Sequence, residues 1–288
     1  MSLFLNLFVN GVILGLLYAT IALGFSLVLG VSGVLNFAHG VLFALGAYGY
    51  WVLKDFMGFW PALAGATLIV GVIGVVVERL LVRRVYGEDP LFGLVITMGF
   101  AMAVEQVLHM IFGAAAKTVN PPDFAQGVLF MGDMMIPYYR LFVALCCVVV
   151  LTGTWLVLNN TAFGAIVRAG MYDSEMVSAL GHDLPLLRTA VFALGAMAAA
   201  LSGVLASSIW SIKPGMGGAF LMPSFLVVLI GGLGSIRGTV LGGLIVGLTT
   251  SLLSLVIPRF VDIMPYVIMA VVVYFWPRGL LGKQNILE

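Results

Sequence analysis

Apolar residues run along this chain in long blocks separated by short polar stops. The first block occupies residues 3–30. Others follow at 61–82, 91–113, 140–158, 186–210, 221–236, 238–257 and 262–277, and VLFALGAYGYWVL forms one more after Gly40. They are hydrophobic all round rather than on one face, the pattern of helices surrounded by lipid or by other helices. Most approach the roughly 20 residues that cross a hydrocarbon core. The pattern predicts an all-α polytopic membrane protein, a bundle of eight or nine transmembrane helices in a single domain over residues 1–288. The count turns on 221–236, which is short for a span.

The polar stops carry the punctuation. SGVLNFAHG, from Ser32 to Gly40, puts Asn36 and His39 at the edge of a membrane segment. Trp51, Lys54, Asp55 and Trp60 mark an interface with aromatic rings at headgroup level. Residues 114–139 are irregular, with Pro121, Pro122 and Pro137, and are expected to hold a short hairpin around Gly132. The longest stop of the second half runs from Thr161 to Arg188. There Asp173 is placed to cap a helix starting at Ser174, Gly181 to end it in left-handed backbone, and Pro185 to prevent its resumption. Met176, Val177 and Leu180 are read as one apolar face. A helix of about two turns outside the bilayer needs something to press against, so 161–188 is read as a docking loop.

Small residues add a second pattern. Gly11 and Gly15 have the G-x-x-x-G spacing that lets another helix approach closely. Leu186–Trp210 is rich in Ala, Gly and Ser and is expected near the bundle centre. Gly231, Gly232, Gly234 and Ser235 interrupt the next apolar run, and Gly238, Gly242, Gly243 and Gly247 follow. Two readings stay open: a discontinuous helix lining a path, or tight helix packing. NFAHGVLFALGAYG and GSIRGTVLGGLIVG echo each other faintly, each a polar turn opening a glycine-spaced helix.

Composition narrows the class. Apolar residues make up 62% of the chain and charged residues 9%, against about 25% charged in soluble domains. The mean hydropathy is +1.18. A net charge of +1 points to no nucleic-acid partner. Cys146 and Cys147 are adjacent in an apolar run, where helical neighbours point apart, so they are read as small core residues. The first basic residue is Lys54, so the charged start of a signal peptide is missing and the first block should remain a span. With nine spans, Arg79, Arg83, Arg84, Arg168, Arg188, Arg237, Arg278 and Lys283 fall on one side and the remaining five basic residues on the other. The richer side is assigned to the cytoplasm, with the N-terminus outside and the C-terminus inside.

Candidate chemistry is sparse. Glu105 and His109 are four residues apart inside the 91–113 span and share a helix face. Glu105 either lines a translocation path or bonds to His109 and holds helices together, the second reading being favoured. Asn36 and His39 either cap a helix start or face a path. No H-E-x-x-H, paired carboxylates, Ser/His/Asp set or phosphate-binding G-x-x-x-x-G-K-[ST] loop occurs, so no catalytic residue, metal site or bound cofactor is expected. A stand-alone ion-coupled carrier or channel is the alternative class, and Glu105 is its only evident intramembrane acid.

Two motifs resemble those of a known family. In Glu175 to Gly181 the chain keeps the spacing of the E-A-A-x-x-x-G docking loop of ABC importer permeases, with Met176 and Val177 in place of the two alanines. The preceding FGAIVRAGMYD, which holds Arg168 and Asp173, and the L-N-F-A-H-G then G-A-Y pattern from Leu35 resemble permeases for branched-chain amino acids. The resemblance implies alternating access in a bacterial inner membrane. It implies three kinds of partner: a second related permease, two cytoplasmic ATPases carrying ATP and magnesium, and an extracellular or periplasmic substrate-binding protein. It makes Arg168, Asp173, Glu175, Met176, Val177, Leu180 and Gly181 the ATPase-docking set. The implied substrates are branched-chain or other amino acids, with urea, short amides and aromatic acids as alternatives.

Overall fold

The structure, a computed structural model, describes residues 2–131, 134–261 and 263–282. Gly132 and Lys283 lie outside the described residues. Eleven α-helices are present among those described: α1 (Ser2–Ser32), α2 (Ala38–Met57), α3 (Phe59–Leu80), α4 (Pro90–Phe112), α5 (Tyr138–Asn160), α6 (Ala162–Tyr172), α7 (Ser174–Ala179), α8 (Leu184–Ala206), α9 (Met216–Gly231), α10 (Ile236–Val256) and α11 (Met264–Phe275). Strands β1 (Val128–Met131) and β2 (Met134–Pro137) form an antiparallel hairpin that pairs Val128 with Pro137, in the loop expected to hold one.

Six helices, α1, α3, α4, α5, α8 and α10, are long and apolar enough to cross a membrane. Helix α2 has 20 residues but carries Lys54 and Asp55 at its far end. Helices α9 and α11 have 16 and 12 residues. At 1.5 Å per residue they reach about 24 Å and 18 Å, short of a core of about 30 Å. Each of the nine apolar blocks holds a helix, but among the described residues α2, α9 and α11 fall outside the six that are long and apolar enough to cross unaided.

Small residues decide which helices are central. Helix α8 lies against α1, α2 and α3, where Gly24 of α1 meets Gly195 and Gly74 of α3 meets Ala196. Helix α10 crosses α1 through glycines on both sides: a β-carbon on Gly15 would stand 2.7 Å from Gly243 O, and one on Gly243 would stand 2.6 Å from Gly15 O. Gly11 extends the contact to Leu248 and Ser251. Close backbone approach replaces the hydrophobic effect as a driving force where lipid is as apolar as the helix surface. Helices α4 and α5 line the outside, and Leu91, Val95, Met102, Met110, Leu145 and Val149 are exposed on them, as lipid- or partner-facing side chains must be.

The two ends of the bundle differ in charge. Arg83 and Arg188 meet Glu78, Tyr86 and Thr189 at the end that carries α6 and α7. Arg168 and Arg237 share a cavity at the same end, and Arg278 O lies beside Gly232. At the other end Lys117 sits 5.5 Å over the Trp51 ring and Arg140 donates to Asn10 Oδ1.

Candidate docking and translocation site

The chain between α1 and α2 folds back into the bundle. Gly33 has φ of +67°, and Asn36 Oδ1 accepts from Ala38 N at 3.1 Å, closing a local turn at the start of α2. Phe37 N donates to Thr97 Oγ1 of α4 at 3.0 Å, and that hydroxyl also lies 2.8 Å from Gly93 O. His39 Nε2 donates to Ile21 O of α1 at 3.0 Å. Asn36 and His39 are 1% and 0% exposed. Irregular backbone at this depth is tolerable because protein surrounds it. Asn36 Nδ2 and His39 Nδ1 nevertheless have no hydrogen-bond partner among the described residues. The pair therefore holds the helix break and also presents one spare donor and one spare acceptor inside the bundle. Thr97, which ties this break to α4, was not singled out in the sequence; a lone Thr in an apolar span gives no signal.

A second break separates α9 from α10. Gly232 and Gly234 have φ of +96° and +71°, a region that side chains rarely adopt. Ser235 Oγ caps α10 by accepting from Gly238 N, and Ser26 Oγ of α1 accepts from Gly234 N at 3.1 Å. The carbonyls freed at the end of α9 are not left bare: Leu280 N donates to Ile230 O and Leu281 N to Gly231 O. The glycine run thus divides. Gly231–Ser235 makes a true helix break, while Gly238, Gly242, Gly243 and Gly247 pack inside the continuous α10.

Glu105 and His109 both lie on an exposed face of α4. No hydrogen bond or ion pair joins them among the described residues. Instead Glu105 Oε1 lies 3.1 Å from where a Gly215 β-carbon would stand, at the N-cap of α9. A carboxylate suits that position because the first N–H groups of a helix are unpaired and its dipole is positive there.

The loop after α5 is more helical than its sequence suggests: it holds two helices, not one. Thr161 Oγ1 accepts from Gly164 N and caps α6, an eleven-residue amphipathic helix. A β-carbon at Gly164 would collide with the Leu158 backbone, so α6 turns tightly against α5. Asp173 Oδ1 accepts from Met176 N at 2.8 Å and caps α7; Gly181, at φ +87°, ends it. Asp183 Oδ1 then caps α8 through Leu186 N. The apolar face assigned to α7 needs correction. Met176 and Leu180 are 56% and 71% exposed, but Val177 is 2% exposed and turned into the chain. At about 100° per residue, positions 176 and 180 lie some 40° apart, whereas 177 lies about 100° from 176 and about 60° from 180. Glu175 is exposed beside Met176. Arg168 points back toward α10, with its Nη1 buried and unpartnered.

One cluster at this end was not read from the sequence. Glu78, at the end of α3, is 0% exposed. Its Oε2 accepts from Thr189 Oγ1 of α8 at 2.7 Å and its Oε1 accepts from Tyr86 OH at 3.2 Å. Arg83 Nε stands 3.6 Å from Oε1, and Arg83 Nη2 donates to Thr189 Oγ1 at 3.2 Å. The Arg188 guanidinium lies 4.6 Å over the Tyr86 ring. Burial and the adjacent Glu78 push the Tyr86 hydroxyl pKa up. The only hint in the sequence is an acid five residues ahead of the paired arginines in ERLLVRRV. The cluster joins α3 to the first turns of α8, directly after α7.

These features define a membrane-embedded permease: a helical bundle with two buried backbone breaks and a short helix projecting from its charged end. Residues 7–273 match the family described as "Branched-chain amino acid transport system / permease component", and the chain belongs to that family. It is 28% identical to the high-affinity branched-chain amino acid transport system permease protein BraD of Pseudomonas aeruginosa, over 98% of this chain and 97% of that protein. It is also 28% identical, with the same coverage, to the LivH permease protein of the corresponding system in Escherichia coli. A probable LivH permease protein of Methanocaldococcus jannaschii is 28% identical over 83% of this chain and 77% of its own length.

Proposed function

We propose that the chain is the permease subunit of an ATP-driven importer for branched-chain or other amino acids, and that it works with a second related permease, two ATPases on the α7 side and a substrate-binding protein on the opposite side. The arginine-rich end is then cytoplasmic, with the N-terminus outside. The observation that carries the reading is α7, a capped six-residue helix anchored by the buried Val177, with Met176 and, at its C-cap, Leu180 left exposed. Apolar side chains held outward on an ordered helix suit a protein partner.

The mechanism follows from what α7 is attached to. Movement of a docked α7 reaches α8 through a four-residue turn, and Glu78 ties the start of α8 to α3. Helix α8 packs against α1 and α2 across glycines, so its tilt is felt at the break that holds Asn36 and His39. Closure of the ATPase pair would favour one permease conformation and release of nucleotide products the other, since a partner shifts an equilibrium only by its differential affinity for the two states. ATP and magnesium would be held by the ATPases.

The test is leucine uptake into proteoliposomes containing the permease pair and ATPases, with binding protein outside or omitted. Uptake that requires both lumenal ATP and binding protein is expected. Leucine uptake by the permease chains alone, driven by a proton or sodium gradient, would overturn the proposal in favour of a secondary carrier.

A further inference from the structure

Two hollows adjoin on the outer side of α5 and α10, and their chemistry differs. One, of about 290 Å³, lies at the α7 end and is lined by Arg168, Arg237, Asn159 and Ser235 among others. The second, of about 400 Å³, is almost wholly apolar and is lined by Leu16, Val148, Leu151 and Leu241 among others. Trp155, Ile236 and Arg237 line both, so the two are one continuous crevice.

The polar part is positive and uncompensated. No acidic residue lines it, and neither arginine is in an ion pair among the described residues. Arg168 Nη1 is buried with no acceptor among the described residues. A guanidinium N–H withdrawn from water without a partner is costly, and an anion with several oxygens would satisfy it. The start of α10, a 21-residue helix capped by Ser235 through Gly238 N, adds the positive end of its dipole.

The crevice as a whole runs along one leaflet. From Asn159 in the polar part to Val148 in the apolar part it follows α5 for about 16 Å, of which the apolar part, from Trp155 to Val148, takes about 10 Å, against half of a hydrocarbon core of about 30 Å. Val148, Leu241 and Leu281 on its rim are exposed, so it opens sideways to the bilayer. Trp155 stands at the joint of the polar and apolar parts, where an indole suits the interface.

We infer that this crevice binds an anionic phospholipid, its phosphate between Arg168 and Arg237 and an acyl chain along the groove between α5 and α10. A free phosphate would account for the arginines but leave the groove empty. An apolar partner helix would fill the groove but leave Arg168 without an acceptor. Basic pockets between membrane helices are suited to anionic headgroups. The inference goes beyond the transport reading and does not rest on it; that reading only identifies the leaflet as the cytoplasmic one. A bound lipid would join α6, at the root of the docking loop, to α10.

The experiment uses the purified full chain in mild detergent, without ATPases, so that docking does not enter. Unfolding temperature is followed as dioleoylphosphatidylglycerol, dioleoylphosphatidylcholine or inorganic phosphate is added. Phosphatidylglycerol should raise it, phosphatidylcholine much less, and phosphate not at all. R168Q/R237Q should weaken the apparent affinity for phosphatidylglycerol by about tenfold or more. Leu241→Trp, which fills the groove and leaves both arginines, should weaken it as well. Mass spectrometry of lipid retained through purification gives a readout independent of stability, and both variants should lose retained phosphatidylglycerol. Equal retention and equal response in R168Q/R237Q would overturn the site. A response to phosphate alone, or equal responses to the two lipids, would also overturn it. So would an unaltered response in Leu241→Trp, which would leave an anion site without an acyl chain.

Discussion

Glu78 Oε2 accepts a 2.7 Å hydrogen bond from Thr189 Oγ1, joining the end of α3 to the beginning of α8 across 111 residues of sequence. Thr189 in turn accepts from Arg83 Nη2, so one hydroxyl bridges a buried carboxylate and a guanidinium. A carboxylate this deep persists only while its partners remain.

Removing either partner should therefore destabilise the chain, and the two losses should overlap. Glu78→Gln and Thr189→Val are each expected to cost about 1.5–3 kcal/mol, the value of a hydrogen bond to a charged group. The double variant should cost less than their sum by about 0.5–3 kcal/mol. Denaturant unfolding of the purified chain measures all four corners of the cycle. Strict additivity would show that the Glu78–Thr189 bond contributes nothing.

The crossing of α1 and α10 depends on the absence of side chains. Gly243→Val places a branched side chain against the Gly15 carbonyl and Ala19, both within 2.8 Å of the new β-carbon. It should abolish recovery of folded protein. Gly99→Ala, with open space around its β-carbon, should be neutral or stabilising by about 1 kcal/mol through helix propensity. Fluorescence-detected size-exclusion chromatography of the two variants compares them directly. Equal recovery would contradict the packing role.

Leu180 and Val177 should separate docking from folding. Leu180→Asp puts a charge on an exposed position, so the permease alone should unfold as wild type does while its co-purification with the ATPase falls. Val177→Asp buries an unpaired carboxylate and should lower the stability of the permease itself by several kcal/mol, about 3 or more. Gly181→Asn should behave better than Gly181→Val, because Asn enters left-handed backbone more readily. If Leu180→Asp retained both normal ATPase recovery and normal uptake, α7 would not be the docking element.

Topology can be read by labelling. Single cysteines at Arg84 and Asp123, in a chain lacking Cys146 and Cys147, should react differently with an impermeant thiol reagent applied to intact cells. Asp123→Cys should label and Arg84→Cys should not. The reverse pattern would invert the proposed orientation.

How much of this was legible beforehand depends on the kind of interaction. The apolar blocks and the hairpin of β1 and β2 are local in origin and were readable from pattern, whereas the glycines from Gly231 onward left a helix break and tight packing both open. Gly15 announced a close helix contact, but its partner, Gly243, is more than 200 residues away and could not be paired with it by spacing. Val177 was placed on the wrong face because a six-residue helix has too few turns for periodicity to define its buried side. Helix α6 was missed because a loop already marked by polar residues and Gly gave no reason to look for a second helix.

The chain's membrane class and its helical blocks follow from the sequence alone, because lipid imposes one rule on every spanning residue: backbone groups must be satisfied within the segment. Lipid imposes no comparable rule on which helix meets which. That was decided only in the tertiary structure, where Glu78 finds Thr189, Phe37 finds Thr97, and Arg168 turns to α10. Each is a polar group that depends on partners from distant helices. Such partners are chosen by three-dimensional proximity, which neither hydropathy nor spacing along the chain encodes.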